Sequence, residues 1–203
     1  MCINSRSSVK NVLLVGVGGQ GIILASKVLS SGLIDSGYDV KMSEVHGMAQ
    51  RGGSVTTQVR YGKKVYSPII GKGQADIIVA FERVEALRWL EYLKPGGKIV
   101  INDYAIPSAT VLSGKEKYPE NIIEKIEAKY DDVIAIDAAD EAIALGNIKA
   151  QNIIMLGGLI KSLGIEEIDW DKALKDNVKE KFVDLNMKAI KKGLESEITE
   201  KAL

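Results

Sequence analysis

Two short segments carry most of the residue types that suit ligand binding or chemistry. The first is the glycine-rich run Gly16-Val17-Gly18-Gly19-Gln20-Gly21, which has the GxGxxG spacing. The second is the polar run 43–53, which contains Glu44, the only histidine His46, Gln50, Arg51 and Gly52. Main-chain N–H groups in the first segment suit an anion. The histidine suits proton transfer, and the arginine suits a carboxylate or phosphate.

The glycine-rich run predicts a tight turn between a strand and a helix. Gly16 would permit the turn, Gly18 would let a ligand approach the main chain, and Gly21 would let the helix lie close to the strand. Three interpretations remain open: a compact turn only, a phosphate-bearing ligand such as coenzyme A, or NAD or FAD. The dinucleotide interpretation needs an acid at the end of the second strand, where Glu44 stands.

The polar run shows no helical or strand periodicity. His46 stands alone, without a visible Ser, Cys or second His partner, so it suggests neither a catalytic triad nor a metal site. One alternative is a structured loop held by a Glu44–Arg51 ion pair. For the run as a whole we prefer contact with a ligand or an interface, because ordered functional loops are rich in such residues.

Hydrophobic runs and helical periodicity predict the elements that would position these segments. The predicted strands are 12–15, 38–43, 54–61, 65–66, 75–81, 98–102 and 133–136. The predicted helices are 20–36, 83–93, 119–130, 140–145, 150–163, 171–182 and 184–195. Residues 54–61 and 65–66 suggest a β-hairpin and therefore a mixed sheet. Gly157 and Gly158, in mid-helix, would cost about 2 kcal/mol relative to alanine. They predict close approach of another main chain, inside the fold or from a partner.

Together these elements predict an α/β fold. We expect a Rossmann-like three-layer αβα domain with a mixed, mostly parallel sheet, an inserted β-hairpin and C-terminal helices. One domain would span 1–203, with a core of about 11–165 and a helical segment of about 169–197.

Composition excludes several classes of protein. Lys plus Arg equals Asp plus Glu, 27 against 27, which argues against a nucleic-acid partner. The single cysteine, Cys2, rules out a disulfide within the chain and an iron–sulfur cluster held by this chain alone. One cysteine and one histidine make a metal site unexpected. Without a signal peptide or a long apolar run, we expect a cytoplasmic protein and no membrane contact.

The two segments together resemble the gamma-type component of 2-oxoacid:ferredoxin oxidoreductases. The run His46-Gly-Met-Ala-Gln-Arg-Gly-Gly53 is similar to the small (beta) subunit of the indolepyruvate branch. The pyruvate and 2-oxoglutarate branches usually carry a different tract before their Arg-Gly-Gly. Residues 152–157 and 186–189 also resemble the family, and the likeness runs from about Val12 to Leu194.

This resemblance implies a subunit that is inactive alone and has no catalytic residue of its own. The holoenzyme would convert an arylpyruvate and coenzyme A to an aryl-acetyl-CoA, carbon dioxide and reduced ferredoxin. Thiamine diphosphate and [4Fe-4S] clusters would lie on a large alpha subunit, and this chain would bind no cofactor alone. The alternatives are a gamma subunit acting on pyruvate or 2-oxoglutarate, a free-standing NAD(P)-dependent dehydrogenase, or a purely structural interaction module.

Overall fold

A computed structural model describes residues 8–46, 52–196 and 199–200. The strands are β1 Lys10–Val17, β2 Asp39–His46, β3 Ser54–Gly62, β4 Ala75–Ala80, β5 Leu93–Asn102, β6 Asp132–Ile136 and β7 Thr199–Glu200. The helices are α1 Ile22–Asp35, α2 Arg83–Trp89, α3 Ala109–Leu112, α4 Ile122–Glu127, α5 Ala138–Ala144, α6 Gln151–Leu163, α7 Trp170–Asn177 and α8 Val183–Glu195. Single 3₁₀ turns lie at Leu90–Tyr92, Ile148–Ala150 and Glu180–Phe182.

The described strands form one sheet in the order β2-β3-β1-β4-β5-β6-β7. Neighbouring strands β1, β4, β5 and β6 pair in parallel. Strand β3 runs antiparallel to both β1 and β2, and β7 runs antiparallel to β6. Within this part of the chain, only β3 and β7 therefore oppose the common strand direction. The predicted mixed, mostly parallel sheet is confirmed.

The sheet is covered on both faces, because its strands alternate their apolar side chains between two cores. In β1, Val12 and Leu14 pack into a core with residues of α1, α6 and α8. Leu13 and Val15 pack into a separate core with residues of α2 and α4. Two cores separated by one sheet make the three-layer αβα arrangement that the sequence predicts.

The predicted hairpin partner of β3 is wrong. Residues 65–66 form no strand, because β1 occupies one edge of β3 and β2 occupies the other. The Val65 N–H instead donates to Asp39 Oδ2 at 3.0 Å. A hydrogen bond from Lys41, followed by that main-chain bond, lowers the pKa of Asp39 from 3.8 to about 2, so the acceptor is a carboxylate. The inserted antiparallel element is therefore β3 itself, lying between β2 and β1.

Several boundaries also differ from the prediction. Strand β2 continues to His46 instead of ending at Ser43, so Glu44, Val45 and His46 belong to a strand and not to an aperiodic run. Helix α2 ends at Trp89, and β5 begins at Leu93 with an irregular register, so Pro95-Gly96-Gly97 lies inside that strand rather than ending a helix. Helix α4 spans Ile122–Glu127 only, shorter than the predicted 119–130. Helix α7 ends at Asn177, because Val178 takes an extended conformation. Helix α3 and strand β7 were not predicted.

The mid-helix glycines lie where α6 meets its neighbours. A Cβ on Gly157 would stand 2.3 Å from Ile190 O, and one on Gly193 would stand 1.9 Å from Ile154 O. A Cβ on Gly158 would meet the Ile136 side chain at 2.5 Å. The predicted close approach of another main chain is confirmed, and that main chain belongs to α8. Although α6 is almost wholly buried, no helix in the described ranges is long and apolar enough to cross a membrane.

We predict that Gly193→Ala destabilises the fold. Glycine to alanine within a helix normally gains about 1 kcal/mol. Here the added Cβ would overlap Ile154 O, and overpacking costs about 1–3 kcal/mol. We expect a clearly lower free energy of unfolding in urea. Lys191→Ala, at an exposed position of α8, is the matched control and should unfold like the original chain. Equal stability of Gly193→Ala would refute the close packing of α6 on α8.

Candidate functional site

The glycine-rich run lies at the C-terminal end of β1, where β1 passes into α1. Gly16 belongs to β1 and pairs with Val55, so the turn itself consists of residues 18–20 rather than beginning at Gly16 as predicted. Gly16 is needed for another reason. A Cβ there would stand 2.7 Å from Gln20 Oε1 and 2.9 Å from Phe81 Cβ. The absence of a side chain lets Gln20 fold back beneath the turn.

Gln20 is buried and holds the turn from below. Its Oε1 accepts from the Val17 N–H at 2.8 Å, and its Nε2 donates to Phe81 O at 2.5 Å. Asn102 Nδ2 donates to the same carbonyl at 3.2 Å and to Gln151 Oε1 at 3.0 Å. These buried amides connect the ends of β1, β4 and β5 to the start of α6. Because both ends of the Gln20 amide are used internally, its contribution to the surface comes from the main chain.

Gly19 and Gly21 both have positive φ, 105° and 78°, which favours glycine. Gly21 is the residue before α1, and its predicted role was close packing of that helix on the strand. Its nearest neighbour is instead Asn152 of α6, whose Nδ2 donates to Gly21 O at 3.0 Å. A Cβ on Gly21 would stand 2.5 Å from that nitrogen. Gly21 therefore fixes the start of α1 against the start of α6.

The two segments that the sequence singles out meet in the structure. The Gly18 N–H donates to Gly53 O at 2.9 Å, and the Gly52 N–H donates to Gly18 O at 3.4 Å. Immediately after them, Ser54 Oγ donates to Glu85 Oε2, which ties this end of the polar run to α2. The glycine turn and the end of the polar run therefore form one surface. The same contact means that the Gly18 N–H is not free for a ligand.

A cleft of about 450 Å³ opens above this surface, lined by residues 17–23 and Val55. We call it the glycine-turn cleft. Within the described ranges, the N–H groups of Ile22 and Ile23 donate no hydrogen bond to the protein. They stand at the start of the 14-residue α1, where the helix dipole favours negative charge. Among the described residues, the lining contains no titratable side chain, so this part of the wall offers main-chain donors and apolar contacts rather than acid–base chemistry.

The other predicted site residues lie in different places. Glu44 is in β2 opposite Thr57, and β3 separates it from β1 by two strand spacings, about 10 Å. It is also engaged within the protein. The main chain of His46 ends β2 opposite Val55, beside the cleft. Gly52 adjoins the turn, whereas Gln50 and Arg51 lie outside the described residues.

A polar cluster that was not predicted from the sequence lies at the C-terminal ends of β4 and β5. Glu82 is 1% exposed and accepts hydrogen bonds from Tyr118 Oη, the Glu85 N–H and the Ile106 N–H. Asn102 closes β5 and is fully buried. Each residue ends or directly follows a predicted strand. Ligands of open α/β sheets bind beyond the carboxyl ends of strands. The position of these residues at the ends of predicted strands could therefore have identified them from the sequence.

Burial and charge perturb several groups at this edge. Burial, reinforced by the Glu82 carboxylate, raises the pKa of Tyr118. Burial and the nearby Asp103 raise the pKa of Asp137. Arg83 pairs with Asp103, which holds the arginine at the end of β4. Within the described residues, no group of three or more His, Cys, Asp and Glu side chains is arranged to hold a metal ion.

Comparison with known proteins gives consistent matches over nearly the whole chain. The family model of pyruvate ferredoxin/flavodoxin oxidoreductase matches residues 11–196. The indolepyruvate oxidoreductase subunit IorB of Pyrococcus horikoshii is 39% identical, over 92% of this chain and 95% of its own. The IorB subunit of Thermococcus kodakarensis is 38% identical over 92% and 95%. The 2-oxoglutarate synthase subunit KorC of Methanothermobacter thermautotrophicus is 29% identical over 92% and 94%.

Solved structures share the fold. The pyruvate oxidoreductase subunit PORC of Thermotoga maritima superposes with a TM-score of 0.74 at 20% identity, covering 96% of this chain and 100% of its own. The 2-oxoglutarate:ferredoxin oxidoreductase of Magnetococcus marinus, solved with 2-oxoglutarate, coenzyme A and succinyl-CoA bound, gives a TM-score of 0.69 at 20% identity. That match covers 93% of this chain and 31% of the longer one.

We predict that Gln20→Met loosens the glycine turn. Methionine keeps the length of the side chain but loses the hydrogen bonds to Val17 N and Phe81 O, leaving a buried N–H without its acceptor. Such a loss costs about 1–3 kcal/mol, measured as the free energy of unfolding in urea. Gln20→Glu retains an acceptor for Val17 N but places a carboxylate against a carbonyl, so it should also destabilise. Wild-type stability of both variants would show that the buried amide does not hold the turn.

Proposed function

Because this chain belongs to the pyruvate ferredoxin/flavodoxin oxidoreductase family and is a small subunit of a 2-oxoacid:ferredoxin oxidoreductase, we propose that its holoenzyme oxidises arylpyruvates such as indolepyruvate. In this reaction the bond between the carboxylate and the keto carbon breaks and carbon dioxide leaves. The acyl carbon joins the coenzyme A sulfur, the thiol proton is released, and the electron pair passes to ferredoxin. The product is an aryl-acetyl-CoA.

The identity values favour this substrate branch. Two indolepyruvate oxidoreductase subunits are 38–39% identical to this chain, whereas the 2-oxoglutarate synthase subunit is 29% identical over a similar length. The pyruvate/ketoisovalerate gamma subunit of Thermococcus litoralis is 26% identical. The run His46–Gly53 supports the same branch. A gamma subunit acting on pyruvate or 2-oxoglutarate is the next candidate.

The geometry counts against a free-standing NAD(P)-dependent dehydrogenase. In a dinucleotide-binding half, the acid that binds the ribose lies on the strand next to β1. Here the inserted β3 occupies that place, and Glu44 lies one strand farther away. The Gly18 N–H, which would face a pyrophosphate, already donates to Gly53 O.

The redox groups of the holoenzyme are assigned to a large alpha subunit. A [4Fe-4S] cluster needs about four thiolates, and this chain has one cysteine. Thiamine diphosphate, which supplies the nucleophilic carbon for decarboxylation, is assigned to the same partner. Ferredoxin is reduced through the holoenzyme, and the complex is placed in the cytoplasm. In this arrangement the small subunit has a binding and positioning role, and it transfers no electrons.

We propose that the surface shared by the two segments binds the phosphates of coenzyme A or contacts the alpha subunit. The observation that carries this assignment is the hydrogen-bonded meeting of Gly18 with Gly52 and Gly53. It brings the end of the polar run, with His46, Gln50 and Arg51 on the same run, to the cleft where the Ile22 and Ile23 N–H groups are free. Main-chain donors at a helix start suit an anion, and an arginine in the same polar run has the chemistry to bind a phosphate or carboxylate.

The holoenzyme assignment is tested by reconstitution. The chain is produced alone and together with a large alpha subunit from the same organism, and ferredoxin-dependent oxidation of indolepyruvate, pyruvate and 2-oxoglutarate is measured with coenzyme A. We expect activity only in the complex, with indolepyruvate preferred in kcat/KM. Arylpyruvate oxidation by the isolated chain would refute the subunit assignment, and tight NADH binding by it would support the dehydrogenase instead. A higher kcat/KM for pyruvate than for indolepyruvate would instead assign the chain to the pyruvate branch.

We predict that Arg51→Ala raises the holoenzyme's KM for coenzyme A. Loss of one charged hydrogen-bond donor to a phosphate corresponds to about a tenfold change or more. The KM for the 2-oxoacid should stay the same, and Arg51→Lys should recover part of the loss. Lys63→Ala, an exposed charge in the loop after β3, is the matched control. An unchanged KM for coenzyme A in Arg51→Ala would remove this role for Arg51 and leave the interface assignment.

A further inference from the structure

Glu85 is a buried carboxylate that lies behind the binding surface described above. It belongs to the first turn of α2, is 4% exposed, and is not among the described residues that line the glycine-turn cleft. Helix capping does not account for it, because the Glu82 side chain caps α2 by accepting from the Glu85 N–H at 3.0 Å. A buried charge is costly unless hydrogen bonds compensate for it, so the contacts of Glu85 indicate its role.

Within the described ranges, three donors surround the Glu85 carboxylate. Trp89 Nε1 donates to Oε2 at 3.2 Å, and Arg88 Nε lies 3.3 Å from Oε1. Both donors belong to α2 itself. The third is Ser54 Oγ, which also donates to Oε2. In this part of the chain, Ser54 is therefore the hydrogen-bond partner that the Glu85 side chain has outside its own helix.

Ser54 joins the end of the polar run to the wall of the cleft. It is the first residue of β3. The residue before it, Gly53, accepts from the Gly18 N–H at 2.9 Å, and the residue after it, Val55, lines the glycine-turn cleft. A displacement of Ser54 would therefore move both the contact with the turn and one wall of the cleft.

The main chain just before Ser54 has few other contacts to hold it. Gly52 and Gly53 carry no side chains, and a Cβ on Gly52 would meet no atom within 4 Å. The Gly52 N–H donates to Gly18 O at 3.4 Å, which is long for such a bond. Glycine loses more conformational freedom on ordering than any other residue, so this pair needs a fixed point at its end. The bond from Ser54 to the Glu85 carboxylate supplies one, because hydrogen bonds to ionised groups are roughly twice as strong as neutral ones.

We propose that Glu85 is a positioning residue for the glycine-turn cleft. Through Ser54 it fixes where residues 52–53 meet Gly18, and it thereby holds one wall of the cleft in place without touching what binds there. This inference rests on the proposed use of the cleft by the holoenzyme, but not on which 2-oxoacid is oxidised. A carboxylate that only stabilised the fold would affect the whole sheet equally, whereas a positioning residue affects the turn contact and binding at the cleft.

The first test is amide hydrogen exchange on the full-length chain. Ser54→Ala removes the donor of the anchoring bond, and Glu85→Ala removes its acceptor. In each variant we expect the Gly18 N–H to exchange about tenfold faster or more, because residues 52–53 open more easily without the anchor. The N–H groups of Ile78 and Val79, in the central strand β4, should exchange as in the original chain. The double variant should exchange at Gly18 no faster than the faster single variant, since both changes remove the same bond.

Arg88→Ala is the matched control. It removes a different partner of the same carboxylate, one whose side chain is 58% exposed and which contacts Glu85 from within α2. Exchange at Gly18 should therefore stay as in the original chain. Ser54→Thr keeps a hydroxyl at the anchoring position and should restore most of the protection that Ser54→Ala loses.

The second test is made on the holoenzyme, with whichever 2-oxoacid it oxidises best. If the cleft binds coenzyme A, Ser54→Ala should raise the KM for coenzyme A by about tenfold and leave kcat and the KM for the 2-oxoacid unchanged. If the cleft contacts the large subunit, the same variant should raise the dissociation constant of the two subunits by a similar factor. Ser54→Thr should recover most of either change, and Arg88→Ala should show neither.

Three results would overturn the proposal. The first is unchanged exchange at Gly18 in both Ser54→Ala and Glu85→Ala. The second is faster exchange at Gly18 that is matched throughout β4, which would show a stabilising role only. The third is faster exchange confined to the turn with no change in the KM for coenzyme A or in subunit affinity. The expected changes in a holoenzyme that prefers pyruvate would support the positioning role and correct only the proposed substrate.

Discussion

The arrangement of the whole site depends on how closely α6 packs against α8 and the sheet. Gly157 and Gly193 bring the two helices into main-chain contact, and Gly158 makes room for Ile136 of β6. A side chain at any of these positions would push α6 outward. Because α6 lies so deep, its first residues, Gln151 and Asn152, reach the ends of the central strands and the start of α1. Packing far from the surface thus sets the geometry of the glycine turn.

The inserted strand β3 is the second determinant of the site. It separates β2 from β1, which removes the neighbour that supplies the ribose-binding acid in a dinucleotide-binding fold. It also begins at Ser54, so the chain just before it meets the turn at Gly18. The same insertion therefore excludes one ligand geometry and creates the surface that joins the two sequence motifs. This accounts for a GxGxxG sequence in a protein whose relatives are subunits of ferredoxin-linked enzymes.

The site has the properties of a binding surface. The glycine-turn cleft has main-chain donors at a helix start, and its described lining contains no titratable side chain. Carboxylates such as Glu82 and Glu85 lie behind the surface, where they accept hydrogen bonds from Tyr118, Ser54 and main-chain N–H groups. They anchor α2 and the end of the polar run. Asn152 at the start of α6 donates to Gly21 O, so the turn and α6 are linked through one buried side chain.

The sequence by itself determined the strand–turn–helix at the start, the αβα class and the close approach at Gly157-Gly158. These follow from local glycine chemistry and from hydrophobic periodicity, both of which are readable over a few neighbouring residues. The sequence also pointed to both segments of the site. Only the tertiary structure decided that β3 pairs with β1 and β2, that Gly16 makes room for Gln20, and that Asn102, Gln151 and Asn152 converge beneath the turn. Those contacts join residues up to 131 positions apart. Strand order and helix depth are set by packing of the whole chain, which no local pattern records.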